Sequence, residues 1–144
     1  MEQRIKIDKI QPAAWKALYQ LSGYMNTASL SPIEIHLIEI RASQINKCAF
    51  CIDMHTKGAL QIGETAQRIF VLHAWRETDL FNEREQALLA ITEEVTLISQ
   101  AGLTEETYQK GLAVFGEEQL AQIIMGVVII NSWNRIALST HLKF

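Results

Sequence analysis

Both cysteines of the chain, Cys48 and Cys51, lie three residues apart, and His55 follows four residues after the second. If the segment from Cys48 onward begins a helix, all three side chains share one helix face. Thiols at that spacing can form a disulfide without large backbone movement, and the start of a helix favours the thiolate. His55 can take or return a proton. The stretch therefore predicts a dithiol redox centre with its own base.

The composition is that of an ordinary globular protein. The 144 residues fit a single domain, 1–144, with 49% hydrophobic and 20% charged residues. A net charge of -3 argues against nucleic acid as the main partner. The longest apolar run, residues 123–130, is shorter than the roughly 20 residues that cross a bilayer. The N-terminus carries no apolar signal segment. Two cysteines in such a chain indicate redox-active or reduced thiols, and we expect a cytoplasmic protein.

Helical periodicity and capping residues predict an all-α domain of about six helices. No segment shows convincing alternation of the kind that predicts strands. An extended or irregular lead-in over residues 1–11 precedes the first helix. The predicted helical segments are 12–21, 32–44, 48–60, 64–74, 82–97, a short one at 104–116, and 117–138.

Residues 40–55 carry a specific resemblance, because they read Ile-Arg-Ala-Ser-Gln-Ile-Asn-Lys-Cys-Ala-Phe-Cys-Ile-Asp-Met-His. This run resembles the core motif of the AhpD-like alkylhydroperoxidases, within the carboxymuconolactone decarboxylase superfamily. Residues 74–77, 83–88 and 131–135 are similar to that group as well. The resemblance implies an all-helical AhpD-like fold that assembles as a homo-oligomer, commonly a trimer or hexamer. It also implies an antioxidant peroxidase-type oxidoreductase that reduces hydroperoxides.

The resemblance also implies roles for individual residues. Cys51 would attack the peroxide and Cys48 would resolve the product as a disulfide, with no cofactor or metal. His55 would belong to a proton relay with a glutamate twelve residues before the first cysteine. An external dithiol, a dihydrolipoyl group or a thioredoxin-like protein, would then reduce the enzyme.

The chain departs from this pattern at two positions. Twelve residues before Cys48 stands His36 rather than glutamate, and Phe50 stands where the family pattern has a second histidine. His36 could itself be the base, or Glu39, one turn further along the same predicted helix, could reach the site. The chemistry could also be slower or different. Taken alone, His36 is a surface or boundary residue, and we predict that Glu39 lies on the solvated helix face.

Other interpretations of the motif remain open. Cys48 and Cys51 could be buried apolar residues beside a core histidine. They could bind zinc with His55, and with His36 or His73 as the fourth ligand. The function could instead be that of the decarboxylase branch, which does not rely on a CxxC, or of a non-catalytic thiol redox switch.

Polar residues outside the motif have structural interpretations. Asn134 and Arg135, next to Trp133 in the apolar last helix, need partners if they are buried, and we predict that they tie this helix to a neighbour or to another subunit. Glu93 and Glu94 are predicted on an exposed helix face, although one of them could pair with an arginine, Arg135 or Arg41.

Overall fold

The computed structural model describes residue 2 and residues 4–143, and the regular structure of that part of the chain is helical. Two 3₁₀ segments, Met25–Thr27 and Leu72–Glu77, accompany the α-helices. The α-helices are α1 (Ile7–Ile10), α2 (Pro12–Tyr24), α3 (Pro32–Asn46), α4 (Ala49–Gln61), α5 (Ala66–Val71), α6 (Glu83–Thr96), α7 (Ile98–Ala101) and α8 (Glu105–Thr140). The predicted all-α fold is confirmed.

Side-chain caps define the starts of the main helices. At the start of α3, the Ser31 hydroxyl accepts the Glu34 N–H at 3.2 Å, and the Glu34 carboxylate accepts the Ser31 N–H at 2.7 Å. Asn82 and Glu85 form the same reciprocal pair at the start of α6. Such caps satisfy N–H groups that have no partner inside the helix. Both helix starts therefore follow directly from the sequence.

Helix α8 is interrupted at Gly116, whose backbone has φ 68° and ψ 175°. Only glycine adopts this conformation readily, because a Cβ would clash with the backbone. The interruption falls where the sequence predicts the boundary between segments 104–116 and 117–138. Together with α2, α3, α4 and α6, the two halves of α8 make the six longer helices of the described chain.

Two predicted segments differ from the structure. The lead-in contains one helical turn, α1, and its residues 1 and 3 lie outside the described part of the chain. The helix predicted at 64–74 begins later, because Thr65 is the N-cap and accepts the Arg68 N–H. It continues as a 3₁₀ segment that is kinked at Ala74, where φ is -119°.

The core lies where α3, α6 and α8 pack together, with α4 packed on α3. Each large apolar side chain removed from water there contributes roughly 1.5–3 kcal/mol. By contrast, α2 has no buried residue and contacts α8 through an edge-to-face pair of Trp15 and Trp133. The fully buried core side chains include Leu37, Ile38, Ile40, Leu88, Leu89, Ile91, Ile123 and Val127.

By length and composition alone, α8 could cross a membrane. However, the core helix of a soluble protein can be as long and as apolar, and 44% of the most apolar stretch of α8 is buried inside the fold. The helix is therefore only weak evidence for a membrane span.

Candidate active site at the α3–α4 junction

Two residues, Lys47 and Cys48, join α3 to α4. The backbone of Lys47 has the left-handed conformation, with φ 58° and ψ 37°, and the next N–H, that of Cys48, donates to the Ser43 carbonyl at 3.0 Å. This bond satisfies a carbonyl at the end of α3 while the chain turns. The tight turn places Cys48 directly at the start of α4.

Cys48 is the N-cap residue of α4, and Cys51 lies in the first turn of that helix. The two residues form a disulfide, with their Cα atoms 5.4 Å apart. Their exposed fractions are only 1% and 2%. The structure therefore contains the oxidised form of the pair. The disulfide is buried at the N-terminal end of α4, where the helix would stabilise a thiolate after reduction.

One carboxylate oxygen links the two histidines of the site. The Oε2 atom of Glu39 on α3 lies 2.8 Å from Nδ1 of His55 on α4. The same oxygen lies 2.8 Å from Nδ1 of His36, one turn earlier on α3. The three side chains are 22%, 13% and 23% exposed, respectively. His55 follows Cys51 by one helical turn, so the disulfide and this triad lie on neighbouring parts of α4.

The environment of Glu39 favours its ionised form. Burial raises the pKa of this carboxyl group, but hydrogen bonds with His36 and His55, together with the charges of those imidazoles, outweigh the effect of burial. The pKa of Glu39 is therefore lower than its ordinary value, and the group is a carboxylate at neutral pH. It can accept hydrogen bonds from both imidazole rings.

Gly58 makes room for the ring of His36. A Cβ atom at position 58 would lie 2.9 Å from Cε1 and 3.1 Å from Nε2 of His36. Glycine in the interior of a helix costs about 1 kcal/mol relative to alanine, so its presence inside α4 calls for a reason. The close approach of the His36 ring supplies one.

These positions correct the sequence prediction for Glu39 and decide the placement of His36. Glu39 does not lie on a solvated face, because α4 packs against α3 and brings His55 onto its carboxylate. His36 reaches the same carboxylate and is not an isolated boundary residue. The structure therefore brings together the residues that the sequence proposed as alternatives for the relay.

The zinc interpretation drew on both cysteines and His55, with His36 or His73 as the fourth ligand. The two sulfur atoms are bonded to each other, and His73 is exposed at the surface. The donor atoms that converge in the described chain belong instead to His36, Glu39 and His55, all within 4.8 Å of one another.

An apolar cavity of about 310 Å³ adjoins the triad. Glu39 and His55 line it, and most of its other lining groups are apolar. Aromatic side chains from three helices contribute to the wall, namely Trp15, Tyr19, Phe50 and Trp133. The sequence does not predict this cavity, because its wall combines α2, α3, α4 and α8, and no local pattern indicates that combination.

Buried amides anchor the end of α3 to α8. Asn46 donates to Asn134 at 2.8 Å and to Asn131 at 2.9 Å, and Asn134 donates to Ser43 at 3.0 Å. Asn134 is completely buried. The prediction that this part of α8 ties the helix to a neighbour is confirmed for Asn134, and the neighbour is the helix end that leads into Cys48.

Glu93 is a second half-buried carboxylate, and the prediction that it lies on an exposed face is wrong. Its Oε1 accepts hydrogen bonds from Arg41 at 2.7 Å and from the Trp75 indole at 2.9 Å, and Arg76 binds the other oxygen. Its side chain is 13% exposed. The alternative of a pair with Arg41 is confirmed. Glu94 accepts hydrogen bonds from Thr104 and Thr107.

The chain is similar to proteins from other organisms. A protein of Bacillus subtilis (strain 168), the uncharacterized protein YdfG, is 40% identical over 139 residues, which are 96% of this chain and 95% of the relative. ATU0492 of Agrobacterium tumefaciens has a crystal structure that matches with a TM-score of 0.95 and 37% identity, over 99% of this chain and 97% of that one. It is described as a protein of unknown function whose proposed assignment is antioxidant defence protein AhpD.

A more distant structure shares the fold. An uncharacterized peroxidase-related protein from Silicibacter sp. TM1040 matches with a TM-score of 0.80 and 21% identity, over 89% of this chain and 68% of that one. Residues 12–94, which include α2 to α4, the cysteine pair and the triad, match the carboxymuconolactone decarboxylase family. The chain therefore belongs to the carboxymuconolactone decarboxylase family, as an AhpD-like member.

Proposed function

We propose that this protein is a thiol-dependent hydroperoxide reductase in which Cys48 and Cys51 cycle between dithiol and disulfide. One observation carries the proposal. A disulfide at the start of a helix lies within one helical turn of a histidine that is bonded to a carboxylate. This arrangement combines a stabilised thiolate, a resolving thiol and a proton carrier.

The relatives support the proposal at a coarser level. Membership of the family and the AhpD-like neighbours are consistent with a peroxidase-related function or with one of carboxymuconolactone decarboxylase type. The cysteine pair favours the first, because decarboxylation does not require two thiols that can form a disulfide. That this chain reduces peroxides is our proposal beyond what the relatives support.

In the first step, the Cys51 thiolate attacks one oxygen of the hydroperoxide. The O–O bond breaks, an S–O bond forms, and the product is the sulfenic acid of Cys51. The other oxygen leaves with the electron pair of the broken bond and takes a proton from His55, which gives an alcohol or water. In the second step, the Cys48 thiol gives up its proton and attacks the Cys51 sulfur, the S–O bond breaks as the disulfide forms, and the hydroxyl group takes that proton and leaves as water.

The triad supplies the proton that this sequence of steps requires. Glu39 orients the His55 ring through Nδ1 and stabilises it when it is charged. His36 is hydrogen-bonded to the same oxygen atom, so a proton on Nδ1 of either imidazole ring points at the Glu39 carboxylate. An external dithiol, a dihydrolipoyl group or a thioredoxin-like protein, then supplies two electrons and returns Cys48 and Cys51 to thiols.

The cavity suits an organic hydroperoxide. An apolar group bound within its 310 Å³ would leave the polar end of the molecule beside Glu39 and His55. Neither cysteine lines the cavity in the disulfide form, and both are almost fully buried. Attack therefore requires that the Cys51 sulfur become accessible once the disulfide is reduced.

The test is peroxide consumption by the purified protein with a dithiol reductant, followed by intact mass under non-reducing conditions. We expect steady turnover and a loss of two hydrogens at the cysteine pair. Cys51→Ser should abolish turnover, whereas His73→Gln, at an exposed histidine, should leave it unchanged. A disulfide that forms without peroxide turnover would contradict the proposed peroxidase activity and favour a redox switch.

The same variant separates the decarboxylase alternative. If the protein decarboxylates a lactone, that activity should survive Cys51→Ser, because the reaction does not use the thiol. A homo-oligomer, commonly a trimer or hexamer, and a cytoplasmic location stay predictions. Size-exclusion chromatography with light scattering tests the first.

A further inference from the structure

We propose that His36, Glu39 and His55 form a binding site for one divalent transition-metal ion of the Zn²⁺ type. The three side chains supply two imidazole nitrogens and one carboxylate oxygen, all within 4.8 Å of one another. Two histidines and one carboxylate are a donor set that Zn²⁺ and Fe²⁺ use in catalytic sites, where further positions stay open.

The distances require little rearrangement. Glu39 Oε2 lies 2.8 Å from Nδ1 of each histidine. Ligands bound to one ion at about 2.1 Å stand roughly 3.0–3.4 Å apart in octahedral or tetrahedral geometry. Each Nδ1 therefore needs to separate from the Glu39 oxygen by only a few tenths of an ångström, and the three donor atoms already lie within 4.8 Å of one another. Each imidazole would carry its proton on Nε2, so that the Nδ1 lone pair is free for the metal.

The charge and the surroundings also favour a cation. Two neutral imidazoles and one carboxylate carry a net charge of minus one, which offsets part of the charge of a divalent cation. Glu39 and His55 line the apolar cavity, whereas His36 is not among its lining residues and lies beside Gly58. An ion held by the three would therefore have its open coordination positions on the cavity side.

An ion in this site and the proposed proton relay would exclude each other. The metal would occupy the Nδ1 lone pair of His55 and the oxygen of Glu39 that orients it. Peroxide reduction would then lose its proton carrier while the ion stays bound. The site differs from zinc bound by the thiols, because it uses neither sulfur and remains available in the disulfide form.

The experiment is titration of tag-free protein in the disulfide form with Zn²⁺, measured by calorimetry. Binding of Co²⁺ is followed in parallel by its visible absorption bands, which report direct coordination. Because Cys48 and Cys51 are oxidised and no peroxide is added, neither thiol ligation nor peroxidase activity affects the result. Failure of this proposal is thereby distinguishable from failure of the proposed function.

We expect one Zn²⁺ per chain, with affinity weakened about tenfold or more in His36→Gln, Glu39→Gln and His55→Gln. His73→Gln, which removes an exposed histidine, is the matched control and should bind as the wild type does. Circular dichroism establishes that each variant is folded. Binding that is equal in the wild type and the three ligand variants, or no binding up to about 1 mM, would overturn the proposal.

Discussion

Glu39 and Glu93 are two half-buried carboxylates that the fold holds in different ways. Their side chains are 22% and 13% exposed, and in both the hydrogen bonds received outweigh burial and lower the pKa. Glu93 is bound by two guanidinium groups, which stay charged at every ordinary pH. Glu39 is bound by two imidazoles, whose ring nitrogens can donate or accept a proton.

The difference indicates that similar burial serves two purposes. Fixed charges around Glu93 connect α6 to α3 and to the 3₁₀ segment, and therefore stabilise the fold. Exchangeable protons around Glu39 suit a group that takes part in chemistry. Replacing each carboxylate by its neutral amide should separate the two roles.

We expect the largest effect in Glu39→Gln, which should lose peroxide turnover. Loss of the anion leaves His55 without its orienting partner, so peroxide turnover should fall about a hundredfold. The free energy of unfolding should change little by comparison. Initial rates of peroxide consumption and urea unfolding measure the two quantities. An active Glu39→Gln variant would remove Glu39 from the proposed relay.

Glu93→Gln should show the opposite pattern. Two guanidinium groups would lose their anion, and we expect a loss of about 2–4 kcal/mol in the free energy of unfolding. Peroxide turnover at a temperature where the variant is folded should stay close to that of the wild type. A large loss of kcat without loss of stability would contradict the division of roles between the two carboxylates.

The contribution of Glu93 to stability should depend on pH in one direction. Because its folded-state pKa is lower than the ordinary value of 4.5, its stabilisation is fully present above about pH 4.5. It is lost as the pH falls from there through the folded-state pKa. The difference in Tm between wild type and Glu93→Gln should therefore be constant at pH 6–7 and shrink towards pH 3. A Tm difference that grows as the pH falls would show that the pKa of Glu93 is not lowered in the folded protein.

The smallest effect should come from Gly58→Ala, which alters the surroundings of Glu39 without touching it. The added Cβ would press on the His36 ring at 2.9 Å, so we expect a severalfold loss of turnover. Gly23→Ala is the matched control, because its Cβ would meet nothing within 4 Å. The control should gain up to about 1 kcal/mol in stability and keep its activity. Equal activity of the two variants would mean that the position of His36 does not matter for turnover.

The sequence predicted the local features well, because their causes are local. The capping residues Ser31 and Asn82 and the break at Gly116 act through atoms within a few residues of each other. The spacing of Cys48 and Cys51 likewise indicated that the two thiols can form a disulfide, and the structure contains one. The helix predicted at 64–74 was less accurate, because Thr65 takes the cap position and the chain then tightens into a 3₁₀ segment.

The surroundings of the motif were harder to predict. Glu39 was expected to face solvent, and only the packing of α4 on α3 places His55 against it. Gly58 was a usable signal, since a glycine inside a predicted helix indicates a close approach, but the sequence does not name the partner. The surroundings of Glu93 were also hard to predict, because its partners lie 17, 18 and 52 residues away along the chain.

By itself, then, the sequence determined an all-helical chain with a CxxC pair and a histidine one turn later on a helix. Periodicity, caps and spacing depend on neighbouring residues and are written in order along the chain. The tertiary structure alone decided that His36 and His55 meet at the carboxylate of Glu39 and that an apolar cavity adjoins Glu39 and His55. Contacts between helices depend on which faces pack together, and that choice is made by the whole core at once.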